Sequence, residues 1–351
     1  MQGKAGEVAQ KEGDVMKFSL IIPFYNAGPW IGRCLDSCLD QDLPEEEYEL
    51  ILVDDGSTDN GRSVAVEKLS GRKNAVILSQ ENSGQAVARN RALDIAKGEF
   101  VWFVDADDWI ERRSLGGIAA MMESADILAI SGADWKDGRA ARRFGWKDYG
   151  IIEGRRLMRC TKINVGTPFS IYRRSLLDGA GLRFMEGVYH EDAEFAPRAY
   201  YSASRVKCTD RILYYVFPSP GSTTRSSNPK RVFDYIEKCV RSLSDFCDGI
   251  EPEFQVGFHN LISSDITHAL KNVTLFDDAT NRKIGECLYS NRDLFRHMRR
   301  SSVLKFRLEG LIFTIFPRRT VVIMKTFLTF AVRSRAERKR FNNLKQINNG
   351  C

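Results

Sequence analysis

The 351-residue chain contains no run of ~18 uncharged apolar residues, so no membrane-spanning helix is expected. It has eight cysteines but no CxxC pair, and no histidine stands beside one of them at metal-ligand spacing; histidine itself occurs four times. This excludes a zinc finger or ribbon, and in a chain of this length it reads as reduced thiols in a reducing compartment. Cys34 and Cys38, one helical turn apart, suggest packing rather than zinc. No GxGxxG follows the first apolar run and no GxxxxGK[ST] occurs anywhere, which argues against a nicotinamide dehydrogenase and a P-loop nucleotidase. The opening residues lack the apolar centre of a signal peptide, so residues 1–15 are expected to be a disordered leader. Internal repeats and low-complexity tracts are absent as well.

What is present is ordinary in bulk: 43% hydrophobic, 28% charged and a net charge of +6, the balance of a soluble protein with a sizeable core. The periodicity is more telling. Lys17 to Phe24 reads as a buried strand, and Tyr25-Asn26-Ala27-Gly28 as a turn before a helix that starts at Pro29 and runs to about Gln41. Tyr48 to Val53 is the next strand, followed by Asp54-Asp55-Gly56-Ser57-Thr58-Asp59 and a helix to Leu69. Ala75 to Leu78 is a third strand. After Asn82-Ser83-Gly84 a helix covers Gln85 to Ala96, with Gly98 as its expected terminator. Strands and helices alternating at this rhythm predict βαβ units on a parallel sheet.

The fourth strand runs into F-V-W-F-V-D-A-D-D-W-I, Phe100 to Ile110. Five apolar residues suit a strand covered on both faces, and Asp105, Asp107 and Asp108 follow at its carboxyl end, where open α/β sheets hold ligands. Carboxylates this close repel one another. A hard divalent cation held by one or two of them plus phosphate oxygens offsets that repulsion; the plainer alternative is that Asp107 or Asp108 caps a following helix. The other strand-end loops carry similar ambiguity. Asp54-Asp55 offers acceptors to a base imide or ribose, or simply forms a turn. Asn82-Ser83-Gly84 with Arg89 brings amides and a guanidinium to a diphosphate, or begins a helix whose Arg89 is solvated.

Beyond the acids the pattern mixes further strands with helices, including a hairpin turn at Trp135 to Arg139 and a helix opening at His190-Glu191-Asp192. That helix start either complements a helix dipole or supplies the base that an attacking alcohol needs. His190 reads as a third metal ligand, a donor to such a ligand, or a satisfied polar residue. From Pro229 onward the chain is helical.

The ordered motifs S-L-I-I-P-F-Y-N, V-D-D-G-S-T-D-N, N-S-G-Q-A-V-A-R-N-R-A-L and F-V-D-A-D-D resemble those of the family-2 inverting glycosyltransferases with a GT-A fold. H-E-D-A-E-F resembles the family's later acidic motif and the Gly221 to Arg225 loop its flexible diphosphate-covering segment, and together these extend the likeness to about residue 228. The resemblance implies an α/β GT-A domain over 16–228, with a nucleotide-binding half over 16–110 and an acceptor half over 111–228. A helical, basic region follows over 229–351. It further implies that Pro23 and Tyr25 line the nucleotide pocket and that Asp55, with Asp54 beside it, accepts from a uracil imide. Gly84 and Arg89 border base and diphosphate, while Asp105 and Ala106 lie on the ribose side. Asp107 binds Mn or Mg, with Asp105 and His190 as further metal candidates. Asp192 is the general base with Glu191 supporting it, and Ser222, Thr224 and Arg225 close over the phosphates.

The activity so implied is inverting transfer from a nucleotide-sugar, UDP-linked, to a glycan or lipid-linked saccharide. A non-catalytic nucleotide-sugar or glycan binder on the same fold is the alternative. A nucleotidyltransferase is less suited, because Tyr25-Asn26-Ala27-Gly28 stands where its Gly-rich basic loop belongs. The expected setting is the cytoplasm. Basic residues of the 300–345 stretch, Arg333, Arg335, Arg338, Lys339 and Arg340 among them, lie near apolar helices, so anionic lipid at the inner membrane face is the expected surface, or else the helices form a lid. The basic cluster has no interleaved aromatics to stack bases, so nucleic acid is not an expected partner.

Overall fold

The computed structural model describes residues 16–219 and 228–329. In chain order, β1 (Phe18–Phe24), α1 (Gly28–Leu39), β2 (Tyr48–Asp54), α2 (Gly61–Lys68), β3 (Ala75–Ser79), α3 (Gln85–Ile95) and β4 (Phe100–Phe103) form the expected alternation. A short β5 (Trp109–Ile110), α4 (Leu115–Met122), the hairpin of β6 (Ile127–Lys136) and β7 (Arg139–Phe144), and β8 (Ile151–Ile152) follow. Then come α5 (Gly154–Cys160), β9 (Ser170–Arg173), α6 (Arg174–Gly179), α7 (Glu191–Ser202) and β10 (Val206–Val216). The remainder is helical: α8 (Lys230–Asp234), a π-helical stretch Tyr235–Val240, α9 (Arg241–Asp248), α10 (Gln255–Leu270), α11 (Asp278–Ser290), α12 (Phe295–Arg300) and α13 (Leu304–Ile315).

The chain divides into two compact units. The first takes Gly166–Phe184 and Ser202–Ser219 along with the chain up to Glu153. The second takes Gly154–Val165, Met185–Tyr201 and the chain from Pro220 onward. This partition does not follow the linear one read from the motifs: α5 and α7 belong with the C-terminal helices. Pattern along the chain cannot reveal such a regrouping, because each helix is amphipathic in the same way whichever layer it joins.

In the first unit all the strands belong to one sheet of order β3-β2-β1-β4-β9-β6-β10-β5, with β7 on β6 and β8 on β10. The β3-β2-β1-β4 half is parallel throughout. β9 runs antiparallel to both β4 and β6, and β10 returns parallel to β6. Every residue of β1, β2 and β4 is buried, as runs apolar on both sides require when helices cover both faces. Leu20, Ile22, Leu50 and Leu52 pack in one core with Ile31, Cys34, Leu35 and Cys38 of α1. Each fully buried aliphatic side chain there contributes about 1.5–3 kcal/mol. Cys34 and Cys38 are thus packing residues, as their spacing suggests. In the hairpin, Asp137 (φ 52°) and Gly138 (φ 76°) take the left-handed pair that a two-residue turn needs.

Gly98 works differently from the expectation. The helix already ends at Ala96 in extended backbone (φ −63°, ψ 131°), so no left-handed glycine terminates it. A Cβ on Gly98 would instead lie 2.3 Å from the backbone nitrogen of Ser19. The glycine is there for close approach to β1, where its N–H donates to Ser19 Oγ (2.8 Å). Ser19 Oγ in turn donates to Glu49 Oε1 (2.6 Å), which also accepts from Lys97 N–H (2.7 Å). Two polar side chains inside β1 and β2 are satisfied in this way.

Candidate functional site

The parallel strands end together, and their loops are stitched to one another by polar side chains. Beyond Ile21, whose carbonyl accepts from Val104 N–H, β1 and β4 no longer pair. Pro23 follows two residues on, facing the same side, where its missing N–H leaves no ladder bond unmade. Tyr25 is 50% exposed at this end. Asn26, in the left-handed region (φ 49°), accepts through Oδ1 from the N–H groups of Thr58 (2.8 Å) and Asp59 (3.3 Å). This ties the loop after β1 to the loop after β2.

Asp54 and Asp55 are both buried, but they do different work. Asp54 Oδ1 accepts from Ser57 N–H (2.9 Å), closing the turn. Asp55 reaches across to the loop before α3: Oδ1 accepts from Gln80 Nε2 and Ser83 N–H, each at 2.8 Å, and Oδ2 accepts from Gly84 N–H (2.9 Å). A carboxylate oxygen can take two donors, so Oδ2 keeps a place for one more. Gly84 (φ 90°) occupies a conformation that favours glycine, and this turns its N–H onto Asp55.

Arg89 on α3 is only 2% exposed and donates to Asp105 Oδ1 (2.8 Å). The solvated-arginine alternative therefore fails: Arg89 is a buried cation bound to the first of the three acids. Asp105 N–H donates to the Tyr214 hydroxyl (3.1 Å), which donates onward to Asp108 Oδ2 (2.9 Å). Asp108 Oδ1 accepts from Phe217 N–H (2.7 Å). Burial, with Asp105 and Asp107 adding to it, pushes the Asp108 carboxyl well above its ordinary range. Asp107 accepts from Ser219 Oγ. Burial raises its carboxyl too, Asp105 adds to the rise, and the Ser219 hydroxyl opposes it. Ala106 is buried between them. The helix-capping alternative for Asp107 and Asp108 also fails, since β5 follows them and α4 begins only after Ser114.

Arg33 of α1 lies beside the same acids and carried no signal in the sequence. Its guanidinium sits over the Trp109 ring (4.0 Å) and the Phe217 ring (4.2 Å), and Nη2 donates to the Asp107 carbonyl (2.9 Å). Its Nε is buried with no hydrogen-bond partner. Burial lowers its pKa, and the charges of Asp108 and Asp107 oppose that.

Each of the three acids is thus held by its own partner, and among the described residues they do not converge into a ready-made three-ligand cage. That suits a hard cation of the Mg or Mn kind, which takes one or two carboxylates and completes its oxygen shell from water and phosphate. Asp107, and Asp105 beside it, are the side chains that would hold it. Bound there, such a cation neutralises charge on a diphosphate.

In the second unit, Glu191 is buried and Asp192 half-buried at the N-terminus of α7. Ala193 N–H points to Asp192 Oδ1 (2.8 Å). Glu194, one turn in, pairs with Arg198 (2.7 Å) and accepts from Ser242 Oγ (2.8 Å). His190 sits in the left-handed region (φ 67°) with its ring stacked on Tyr235 at 4.4 Å. Its Nε2 lies 3.4 Å from Arg231 Nη2, and burial lowers its pKa to about 4, so the ring is neutral at neutral pH. Ser222, Thr224 and Arg225 lie outside the described residues. A hollow of about 700 Å³ near Arg282, Tyr289, Arg318 and Val321 holds none of the residues singled out above.

The family described as glycosyl transferase family 2 matches residues 19–180, the span that carries these strand-end loops. Residues 19–180 are a glycosyl transferase family 2 domain. Over 219 residues, 61% of this chain, it is 34% identical to the poly(ribitol-phosphate) beta-N-acetylglucosaminyltransferase TarS of Staphylococcus aureus. The match spans 38% of that relative's own length. A crystal structure of S. aureus TarS with UDP-GlcNAc superposes with a TM-score of 0.72 at 24% identity, covering 91% of this chain and 92% of that one. A mannosyltransferase from Pyrobaculum calidifontis, solved with GDP-Man and Mn2+, gives a TM-score of 0.52 at 16% identity, covering 92% and 90% of the two chains. These likenesses establish the GT-A type of α/β fold with a helical C-terminal region.

Proposed function

We propose that this family 2 glycosyltransferase moves a sugar from a UDP-sugar to a hydroxyl of a glycan or lipid-linked saccharide, with inversion, assisted by Mn or Mg. The observation that carries the reading is Asp55. Its carboxylate is fixed by three donors and keeps one acceptor position, which suits the imide N–H of a uracil. The half-exposed Tyr25 ring offers the base a stacking face. The paired Arg89 and Asp105 orient the ribose side, while Asp107 would hold a divalent cation that would offset charge on the diphosphate. The S. aureus TarS structures in complex with UDP-GlcNAc and with UDP support a uridine donor. In the chemical step the acceptor oxygen attacks the anomeric carbon from the face opposite the leaving diphosphate. A base takes the acceptor's proton as the bond forms, and that role is assigned to Asp192.

A donor panel with Mn present tests this. UDP-sugars are expected to raise the melting temperature and to release UDP slowly, whereas GDP-mannose does neither. Binding of UDP-sugars with no UDP released on any acceptor would favour the non-catalytic binder instead.

The acceptor side of the proposal rests on α13. Leu304, Leu308, Leu311 and Ile315 are all exposed at steps of four, three and four residues, so they share one helical face. Lys305, Arg307, Arg318 and Arg319 lie on or next to the same helix. No helix among the described residues is long and apolar enough to cross a membrane. An apolar face with basic neighbours suits a helix lying in the plane of an anionic cytoplasmic leaflet. The full chain is expected to float with phosphatidylglycerol liposomes, and Leu308→Glu with Leu311→Glu to stay at the bottom of the gradient. Equal flotation of both would end the idea.

A further inference from the structure

Along the chain no histidine stands at metal-ligand spacing from a cysteine, but the fold of the second unit brings such residues together. Cys247 of α9, His259 of α10 and His297 of α12 meet at one point, all three buried. The Nδ1 atoms of the two histidines face each other at 2.9 Å, and Cys247 Sγ is 3.7 Å from His259 Nδ1. One ligand atom from each residue lies within 4.8 Å of the other two. We infer that Cys247, His259 and His297 form a structural metal site for a thiophilic d10 cation of the Zn²⁺ class, clamping α9, α10 and α12 together.

The donor set is right for such an ion: one sulfur and two imidazoles, with no carboxylate among them. Zn–N bonds of about 2.0–2.1 Å and Zn–S bonds of about 2.3 Å in a tetrahedron separate nitrogens by roughly 3.3 Å and sulfur from nitrogen by roughly 3.6 Å. The Cys247–His259 sulfur–nitrogen distance already agrees, the two rings must part by a few tenths of an ångström, and Cys247 and His297 bring their ligand atoms within 4.8 Å of each other. Support from outside is also built. His297 Nε2 is 2.9 Å from Ser244 Oγ, which accepts from Arg296 Nη2 (2.9 Å), so the outer nitrogen is held while Nδ1 points inward. The Arg296 charge is answered by Asp248 and Asp293; Arg300 is the other cation near the cluster. Burial keeps both rings neutral, with pKa values of about 4 for His259 and about 3 for His297, which is the ligand form. Burial also pushes the Cys247 thiol up to about 12. Metal binding therefore expels that thiol proton to solvent, while the ring protons settle on Nε2. One tetrahedral position remains for water or for the Gln255 carbonyl, 3.9 Å from Sγ.

Without metal the same atoms make a closed hydrogen-bonded set, the thiol donating to Gln255 and one imidazole to the other, so the two readings differ in a measurable way. Full-length protein, stripped with chelator and titrated with Co²⁺, is expected to gain a thiolate-to-cobalt charge-transfer band that saturates at about one equivalent per chain. Its melting temperature should rise alongside. Cys247→Ser is expected to lose the band, His259→Gln to weaken cobalt binding at least tenfold, and Cys160→Ser, at an exposed thiol, to keep the band. Absence of the band in the wild-type chain overturns the site, as does its persistence in Cys247→Ser. The wild-type titration decides alone should Cys247→Ser fail to fold. None of these readouts depends on sugar transfer.

Discussion

Asp107→Ala is expected to lower UDP-sugar hydrolysis and transfer roughly a thousandfold while leaving the melting temperature of the metal-free protein no lower than wild type. The first half follows from the charge that a divalent cation neutralises on a departing diphosphate, worth several kcal/mol. The second half follows from the local electrostatics. Burial and the neighbouring Asp105 already hold the Asp107 carboxyl above its ordinary range. A carboxyl whose folded pKa exceeds its unfolded one favours the fold in acid, below the unfolded value, and that contribution is lost as pH rises through the folded value. Ionised Asp107 is therefore a liability to the empty fold at neutral pH, and alanine removes it. Mn²⁺ should raise the melting temperature of the wild type and not of the variant. Asp108→Ala is the contrast. It strands the Tyr214 hydroxyl and the Phe217 N–H in a buried place, so it should destabilise by about 1–3 kcal/mol for each group left unpaired. Wild-type turnover with Mn²⁺ in Asp107→Ala would remove Asp107 from the metal site.

The contrast between these neighbouring acids shows where reading along the chain succeeds. β1 to β4, their helices and the strand-end loops were legible because apolar periodicity is local and each loop follows its strand directly. The acids' separate roles were not. Asp108 is defined by Tyr214 and Phe217, more than a hundred positions away, and no spacing rule connects them. Trp109 and Ile110 become a strand only because β10 lies alongside to pair with them. Arg33 looks like any polar residue on an amphipathic helix until the loop from Asp105 to Asp108 folds over it. The cysteine–histidine cluster makes the same point: its members stand 12 and 38 positions apart on three helices, and the metal motifs recognised in sequences are short because their ligands share one turn or hairpin. Gly98 shows the opposite error. A helix followed by glycine suggested a left-handed stop, but the glycine is needed because β1's backbone passes too close for any Cβ.

Asp192→Asn is expected to bind UDP-sugar as the wild type does and to lose 100- to 10,000-fold in transfer, about the range that a positioned general base supplies. The substitution preserves shape and one carbonyl-type acceptor, so the contact with Ala193 N–H at the start of α7 persists and the helix keeps its first turn. What disappears is the ability to take a proton from an attacking hydroxyl. Glu191 is the natural comparison. It is almost wholly buried one residue earlier, while Asp192 is half-buried, and a base must be reached by the acceptor. Glu191→Gln is therefore expected to disturb the packing of α7 more than the chemistry. A melting temperature lowered in Glu191→Gln but unchanged in Asp192→Asn, with turnover surviving only in the former, fixes the assignment. Transfer at the wild-type rate by Asp192→Asn would move the base elsewhere, whereas loss of UDP-sugar binding would mean that the residue holds the donor instead.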